Sequence, residues 1–279
     1  MPYLDRLESK SVFILREAQK KYKRPAVLWS IGKDSTTALC LIKKAFFGEV
    51  PFPVVHIDTG HKFKEIYEFR KRMAKEWNLN LVIAKNAKAI KSGMSPKKGR
   101  FECCNSLKTD ALKQLLEKEK FDALIVGIRR DEHGIRAKER YFSPRDKKFA
   151  WKVSREKKGG DAPFEAMQDS ELSGWSLFGT DFGKDCNHVR IHPLLHWNEI
   201  DIWRYIKQEK IPTVNLYFAK NGKRYRSIGC EPCCQPVSSN ASTVDEIITE
   251  LETTRVKERS GRAQDKEFLM QKLRSLGYM

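Results

Sequence analysis

The chain has 279 residues, 40% of them hydrophobic and 32% charged, which is enough for one large domain with a true core and too mixed in sign for wholesale disorder. No apolar run approaches the roughly 18–20 residues that span a membrane, and the N-terminus "MPYLDRLESKSVFILREAQKKYKR" lacks the continuous apolar stretch of a signal peptide, so the chain is read as cytoplasmic with no membrane partner. The net charge of +18, from 54 basic and 36 acidic residues, exceeds what a small polyphosphate ligand needs and favours a nucleic acid or another large anionic partner.

Taken in chain order, residues 6–20 repeat apolar side chains at helical spacing and predict an amphipathic entry helix ending before Pro25. "AVLWS" reads as a buried strand and "STTALCLIKKAFFG" as a helix closed by Gly48. "PVVHIDTG" (53–60), "LNLVIAK" (79–85) and "DALIVGIRRDE" (122–132) read as further strands, with "FKEIYEFRKRMAKEWN" and "SLKTDALKQLLEKEK" as helices between them. Strands alternating with helices predict an α/β fold, a Rossmann-like parallel sheet covered by helices on both faces. Residues 133–190 break the pattern and read as a long loop over the active rim. "NEIDIWRYIKQEKI" is a helix with an acidic first turn, and 243–275 reads as helical and basic. The expected division is an α/β domain over 1–210, with a helical, loop-rich, cysteine-containing region over 211–279 packed on it.

Ligands in such sheets bind beyond the carboxyl ends of the strands. Those ends here carry "SIGKDS" (30–35), "DTG" (58–60) and "RRDE" (129–132). A strand, a tight glycine turn and a helix N-terminus converge backbone amides and dipole on one point, which is an anion site. Gly32 admits a phosphate to the backbone, Lys33 supplies a mobile cation, Ser35 with Thr36 can donate hydroxyl bonds, and Ser30 joins them in the turn. The Walker spacing is absent. Asp34 or Asp58 could hold Mg²⁺ between phosphates, with Gly60 allowing the turn after Asp58. Arg129, Arg130, Arg136 and Arg140 are planar donors suited to oxyanions. His56 and His61 flank "DTG", and a structural role is the default for each.

The turn resembles the "SGGxDS" loop of the N-type ATP pyrophosphatases, with Ile31 in place of the first glycine. "VLWSIGKDSTTALCLIKKAFFGEVPFPVVHIDTGHKFKEIYEFR", "RRDEHGIRAKER", "HWNEIDIWRYI" and "SSNASTVDEIITELETTRVKERSGR" together resemble the small, catalytic subunits of bacterial sulfate adenylyltransferase, almost end to end. That family lies in the adenine-nucleotide α-hydrolase group with the phosphoadenosine-phosphosulfate reductases, and shares the isoleucine variant. The resemblance implies attack on the α-phosphate of ATP, release of pyrophosphate and an adenylylated acceptor. Gly32, Lys33, Ser35 and the helix N-terminus would then stabilise the leaving group.

Seven cysteines in a chain read as cytosolic argue against a disulfide framework. Cys40 reads as core and Cys186 as a residue of a polar loop. The other five are Cys103, Cys104, Cys230, Cys233 and Cys234. "ECC" followed by "GCEPC" resembles the adenylylsulfate reductases that bind a [4Fe–4S] cluster, and that resemblance implies Cys103, Cys104, Cys230 and Cys233 as the four thiolate ligands, a set that also suits a tetrahedral zinc ion. The chain ends "LRSLGYM", without the cysteine-bearing tail of those reductases. Three readings follow. The first is an iron–sulfur sulfurtransferase that adenylates nucleic acid, as in DNA phosphorothioation, with a cysteine desulfurase as donor. The alternative is sulfate adenylyltransferase working with a GTPase subunit. The third is a non-catalytic iron–sulfur partner. The sequence reading leads with the first, because charge and cysteines favour it, and expects Arg255, Lys257, Arg259 and Arg262 to meet the nucleic acid.

Overall fold

The computed structural model describes residues 2–134, 136, 139–150, 186–256, 258–259, 272–273 and 276–277. A six-stranded sheet organises these residues, in the order β3-β2-β1-β4-β6-β5. Its parallel strands are β1 (Pro25–Leu28), β2 (Val54–Ile57), β3 (Leu81–Ala84), β4 (Ala123–Val126) and β6 (Cys186–Ile191). β5 (Phe142–Asp146) runs antiparallel at one edge. Val27 pairs with Val54 on one side and Ile125 on the other, so β1 is central. All four residues of β1 and of β4 are buried, as expected of strands covered on both faces.

Helices join the strands. α1 (Pro2–Lys21) buries Leu4, Leu7, Ile14 and Leu15 on one face, and α2 (Lys33–Ala45) follows β1 directly. α3 (Lys64–Glu76) connects β2 to β3. α4 (Ala87–Lys91), α5 (Arg100–Cys104), a π-turn over Asn105–Thr109 and α6 (Asp110–Glu119) connect β3 to β4. α7 (Glu199–Gln208) starts where the Asp201 carboxylate accepts from the Asn198 amide at 2.9 Å, a reciprocal cap. After α7, β7 (Lys223–Arg224) and β8 (Val237–Ser238) form a two-stranded ladder, and α8 (Val244–Thr253) closes on it. No described helix is long and apolar enough to cross a membrane.

The core under α1 and α2 extends into the 211–279 region: Ile211, Val214, Tyr217, Cys234, Ala241 and Ile247 are buried against the same cluster as Leu15, Val27 and Leu39. Three expectations need correction. Residues 142–146 are a strand rather than loop; Pro144 and Arg145 hide the pattern, yet an edge strand tolerates proline, and Arg145 is buried against Ser143 and Glu139. Cys186 opens β6 instead of lying in a polar loop. The basic C-terminal helix stops at Thr253, before Arg255, Glu258 and Arg259. The greater part of the 133–190 loop, together with Lys257 and Arg262, lies outside the described residues.

Candidate nucleotide site

A cavity opens at the carboxyl ends of β1, β2 and β4. Leu28, Val55, Ile57, Val126 and Ile128 make an apolar slot, and Ser30, Gly32, Lys33, Asp34 and Ser35 line the rim beside it. The slot suits a purine face and the rim a polyphosphate. Five of the residues read from "SIGKDS" therefore stand together. The strained residue in that turn is Ile31, at φ 69°, while Gly32 has an ordinary φ of −75°. Ile31 is buried in the core, and its packing holds a conformation that a β-branched residue avoids. A side chain on Gly32 would press on the Tyr217 hydroxyl at 3.3 Å. That hydroxyl accepts from the Lys33 amide at 2.8 Å.

Sequence reading missed Gly127. A Cβ there would meet the backbone of Asp34 and Ser35 at 3.0 Å, so the end of β4 packs directly under the first turn of α2. Its signal was a small residue at a strand end facing a helix N-terminus. Lys62, Lys108 and Arg259 also line the cavity. They stand 46 and 151 residues apart in the chain, a spacing no local motif encodes.

The expected cations divide into two sets. Arg136 lines the cavity and pairs with Glu132, which also accepts from Arg259. Lys33 and Arg129 are 1% and 0% exposed and meet in a carboxylate cage. Lys33 donates to Asp34 at 3.1 Å and to Glu258; Arg129 donates to Asp131 at 2.9 Å, to Asp34 and to Glu258. Burial alone would favour a neutral Glu258, and the charges of Arg129 and Lys33 outweigh it and keep the carboxyl ionised. Arg130 turns away, meeting His196 at 2.7 Å and the Glu139 carbonyl at 3.0 Å. The buried Arg259 carries a further correction: it belongs to this cavity wall, rather than to an exposed surface that could meet nucleic acid.

Asp58 and Gly60 are outside the cavity wall. Asp58 is buried and accepts from the Gly60 amide, Tyr67, Arg70 and Lys85. Burial opposes its ionisation, and these donors prevail, holding the carboxyl down at about 2. His56, pushed down to about 3 chiefly by burial, donates to the Trp29 carbonyl, and His61 donates to the Met94 carbonyl. Both act as struts.

The four candidate thiols are buried beside the cavity. Cys103 and Cys104 end α5; Cys230 and Cys233 flank a short turn tied to "DTG" by the Glu231 amide on the His61 carbonyl, 2.8 Å, and by Cys230 with Thr59, 3.2 Å. Burial pushes the Cys103 thiol up to about 12, and Cys104, Cys230 and Cys233 add to the rise. Lys108 reaches from the cavity to within 3.7 Å of the Cys104 sulfur. Among the described residues no three His, Cys, Asp or Glu side chains stand at metal-binding geometry.

A mostly parallel sheet with its glycine turn, apolar slot and cation-rich rim defines a Rossmann-type nucleotide-binding protein. The phosphoadenosine phosphosulfate reductase domain model matches residues 24–236. The chain is 36% identical over 311 residues to sulfate adenylyltransferase subunit 2 of Psychromonas ingrahamii, covering 100% of this chain and 98% of that one. It is 38% identical over 300 residues to the same subunit of Pseudomonas paraeruginosa, covering 95% and 93%. The chain belongs to the phosphoadenosine phosphosulfate reductase domain family and groups with the sulfate adenylyltransferase subunit 2 proteins. It is an adenylyl-transfer enzyme of sulfur metabolism. Two solved structures share the fold. Candida glabrata FMN adenylyltransferase with FAD and inorganic pyrophosphate has a TM-score of 0.59 at 16% identity, covering 95% of this chain and 89% of that one. Candida auris phosphoadenylyl-sulfate reductase in its phosphate complex has 0.52 at 16%, covering 85% and 97%.

Proposed function

We propose that this chain is the catalytic subunit of a sulfate adenylyltransferase, making adenylylsulfate and pyrophosphate from ATP and sulfate with a GTPase subunit as partner. The observation that carries the reading is the apolar slot ending at the Ser30–Ser35 rim, in a chain whose relatives match it along nearly its whole length. This reading replaces the nucleic-acid sulfurtransferase and the desulfurase donor expected from charge and cysteines. The +18 charge then serves a large anionic protein partner or general steering of anions.

Adenine would lie against Leu28, Val55, Ile57, Val126 and Ile128, leaving the phosphates over Gly32 and the start of α2. A sulfate oxygen attacks the α-phosphorus, the bond to the bridging β-oxygen breaks, and pyrophosphate carries away the electron pair. No general base is required, because sulfate is already ionised. Charge accumulates on the leaving group, where the α2 N-terminus and the Lys33–Arg129 pair can stabilise it. Lys62, Lys108, Arg136 and Arg259 line the remaining wall and suit the acceptor oxyanion. Asp34, 16% exposed at the rim, is the carboxylate that would hold Mg²⁺, which would supply positive charge to offset that of the phosphates.

The four thiols have the chemistry of a metal-binding set. Burial, and behind it the neighbouring thiols, raises the pKa of Cys103 and Cys233, and a bound cation would reverse that penalty. Cys103, Cys104, Cys230 and Cys233 would hold a [4Fe–4S] cluster, or zinc as the less favoured choice, pinning α5 to the 230–233 turn. The test of function is incubation of the chain and its GTPase partner with ATP, Mg²⁺ and labelled sulfate. Adenylylsulfate and pyrophosphate in equal amounts are expected. ADP and phosphate as the main products would refute adenylyl transfer.

A further inference from the structure

We propose that Glu258 is a positioning residue for adenylyl transfer, a C-terminal carboxylate that aims Lys33 and Arg129 at the departing pyrophosphate. This deepens the reading above and rests on its leaving-group assignment.

Glu258 is 225 residues from Lys33 and 129 from Arg129, yet one of its oxygens accepts from each. Asp34 accepts from the same two cations on its own side. Two cations from different elements, the start of α2 and the segment after β4, are thus held between two carboxylates. Asp34 sits in the rim and is exposed to any ligand there; Glu258 is 8% exposed and stands behind the pair. Removing it would leave Lys33 with Asp34 alone and Arg129 with Asp34 and Asp131, two buried like charges with less to hold them and free to repel each other.

The segment that carries Glu258 is itself held. Arg226 donates to the Val256 carbonyl at 2.6 Å while gripping Glu199 through its other nitrogens at 2.7–3.2 Å. On the far side Arg259 donates to Glu132. Glu258 therefore sits between two anchors, which is the arrangement expected of a group that aims others. A merely competing anion would act differently: its removal would tighten phosphate binding by Coulomb attraction. A positioning residue predicts looser binding and slower chemistry.

The experiment compares Glu258→Gln with the full-length wild type in two assays. Pyrophosphate release in the presence of the partner subunit should fall roughly ten- to a hundredfold in kcat, the scale of misplacing a stabilising group by about 1 Å. KM for ATP should change much less. Inorganic pyrophosphate, titrated by calorimetry, should bind about tenfold more weakly. Glu252→Gln on α8, at an exposed pair with Arg204 of α7, is the control and should behave as wild type. If Glu258→Gln does not accumulate folded, Glu258→Asp takes its place: the shorter arm reaches one cation, so turnover and pyrophosphate affinity should fall together. Wild-type turnover, or pyrophosphate bound equally or more tightly by the variant, overturns the inference. Wild-type chain that binds pyrophosphate but forms no adenylylsulfate refutes the acceptor assignment instead, and leaves the Glu258 comparison readable.

Discussion

Ile31 shows how a residue can be legible in kind and illegible in conformation. The string "SIGKDS" announced an anion turn because a lysine, a serine and a glycine follow a buried strand. It did not announce that the left-handed backbone falls on the isoleucine. Relief of that strain by Ile31→Gly would contribute about 1–3 kcal/mol, whereas losing the buried side chain costs about 2–5 kcal/mol. The variant should therefore be less stable by roughly 1–2 kcal/mol, read as a lower denaturant midpoint; an unchanged midpoint would mean that packing does not hold the turn. Asp58 makes a second residue-level prediction. Its carboxyl lies below an ordinary aspartate of about 3.9, so its contribution is complete above about pH 4 and disappears as pH falls through about 2. Two pH units correspond to about 2–3 kcal/mol. Between those pH values the wild type should lose that much more stability than Asp58→Asn; parallel acid-unfolding profiles would remove the assignment.

The parallel strands were readable because each is a short, continuous apolar run followed by a helical period, and few folds satisfy that alternation. β5 was not, because Pro144, Arg145 and Asp146 give it neither alternation nor an apolar run; its side chains are satisfied by Ser143 and Glu139, contacts invisible in a local window. The packing of β4 under α2 through Gly127 was equally silent. Gly127→Ala should press on the Asp34–Ser35 backbone and lower ATP affinity about tenfold or more, while reducing stability by about 1–3 kcal/mol. Undiminished binding of an ATP analogue would show that this contact does not set the rim. Cys103 and Cys104 of α5 stand near Cys230 and Cys233, whose turn is tied to the "DTG" segment. Anaerobically purified protein should carry iron and labile sulfide, and Cys103→Ser or Cys230→Ser should remove both together. Stoichiometric zinc without sulfide would replace the cluster with a zinc site.

Across the whole molecule, composition misled where connectivity decided. The net charge of +18 drew attention to nucleic acid, but Arg259, one of the four residues expected to meet it, is buried in the cavity wall against Glu132. Glu258 could not have been found from periodicity, since its partners lie 129 and 225 residues away. What the sequence did carry is the strand-end rule: three polar strand ends on one rim, of which the Ser30–Ser35 turn, Ile128 and Glu132 line the cavity while Asp58 braces the turn beside it. The proposed activity is tested most directly by product analysis with α-labelled ATP, Mg²⁺ and sulfate, using the chain with the GTPase subunit proposed as its partner and a parallel Lys33→Ala variant. The account predicts label in adenylylsulfate, matched by pyrophosphate, and a loss on the order of a hundredfold or more in the variant; label recovered as ADP, or full activity without Lys33, would contradict it.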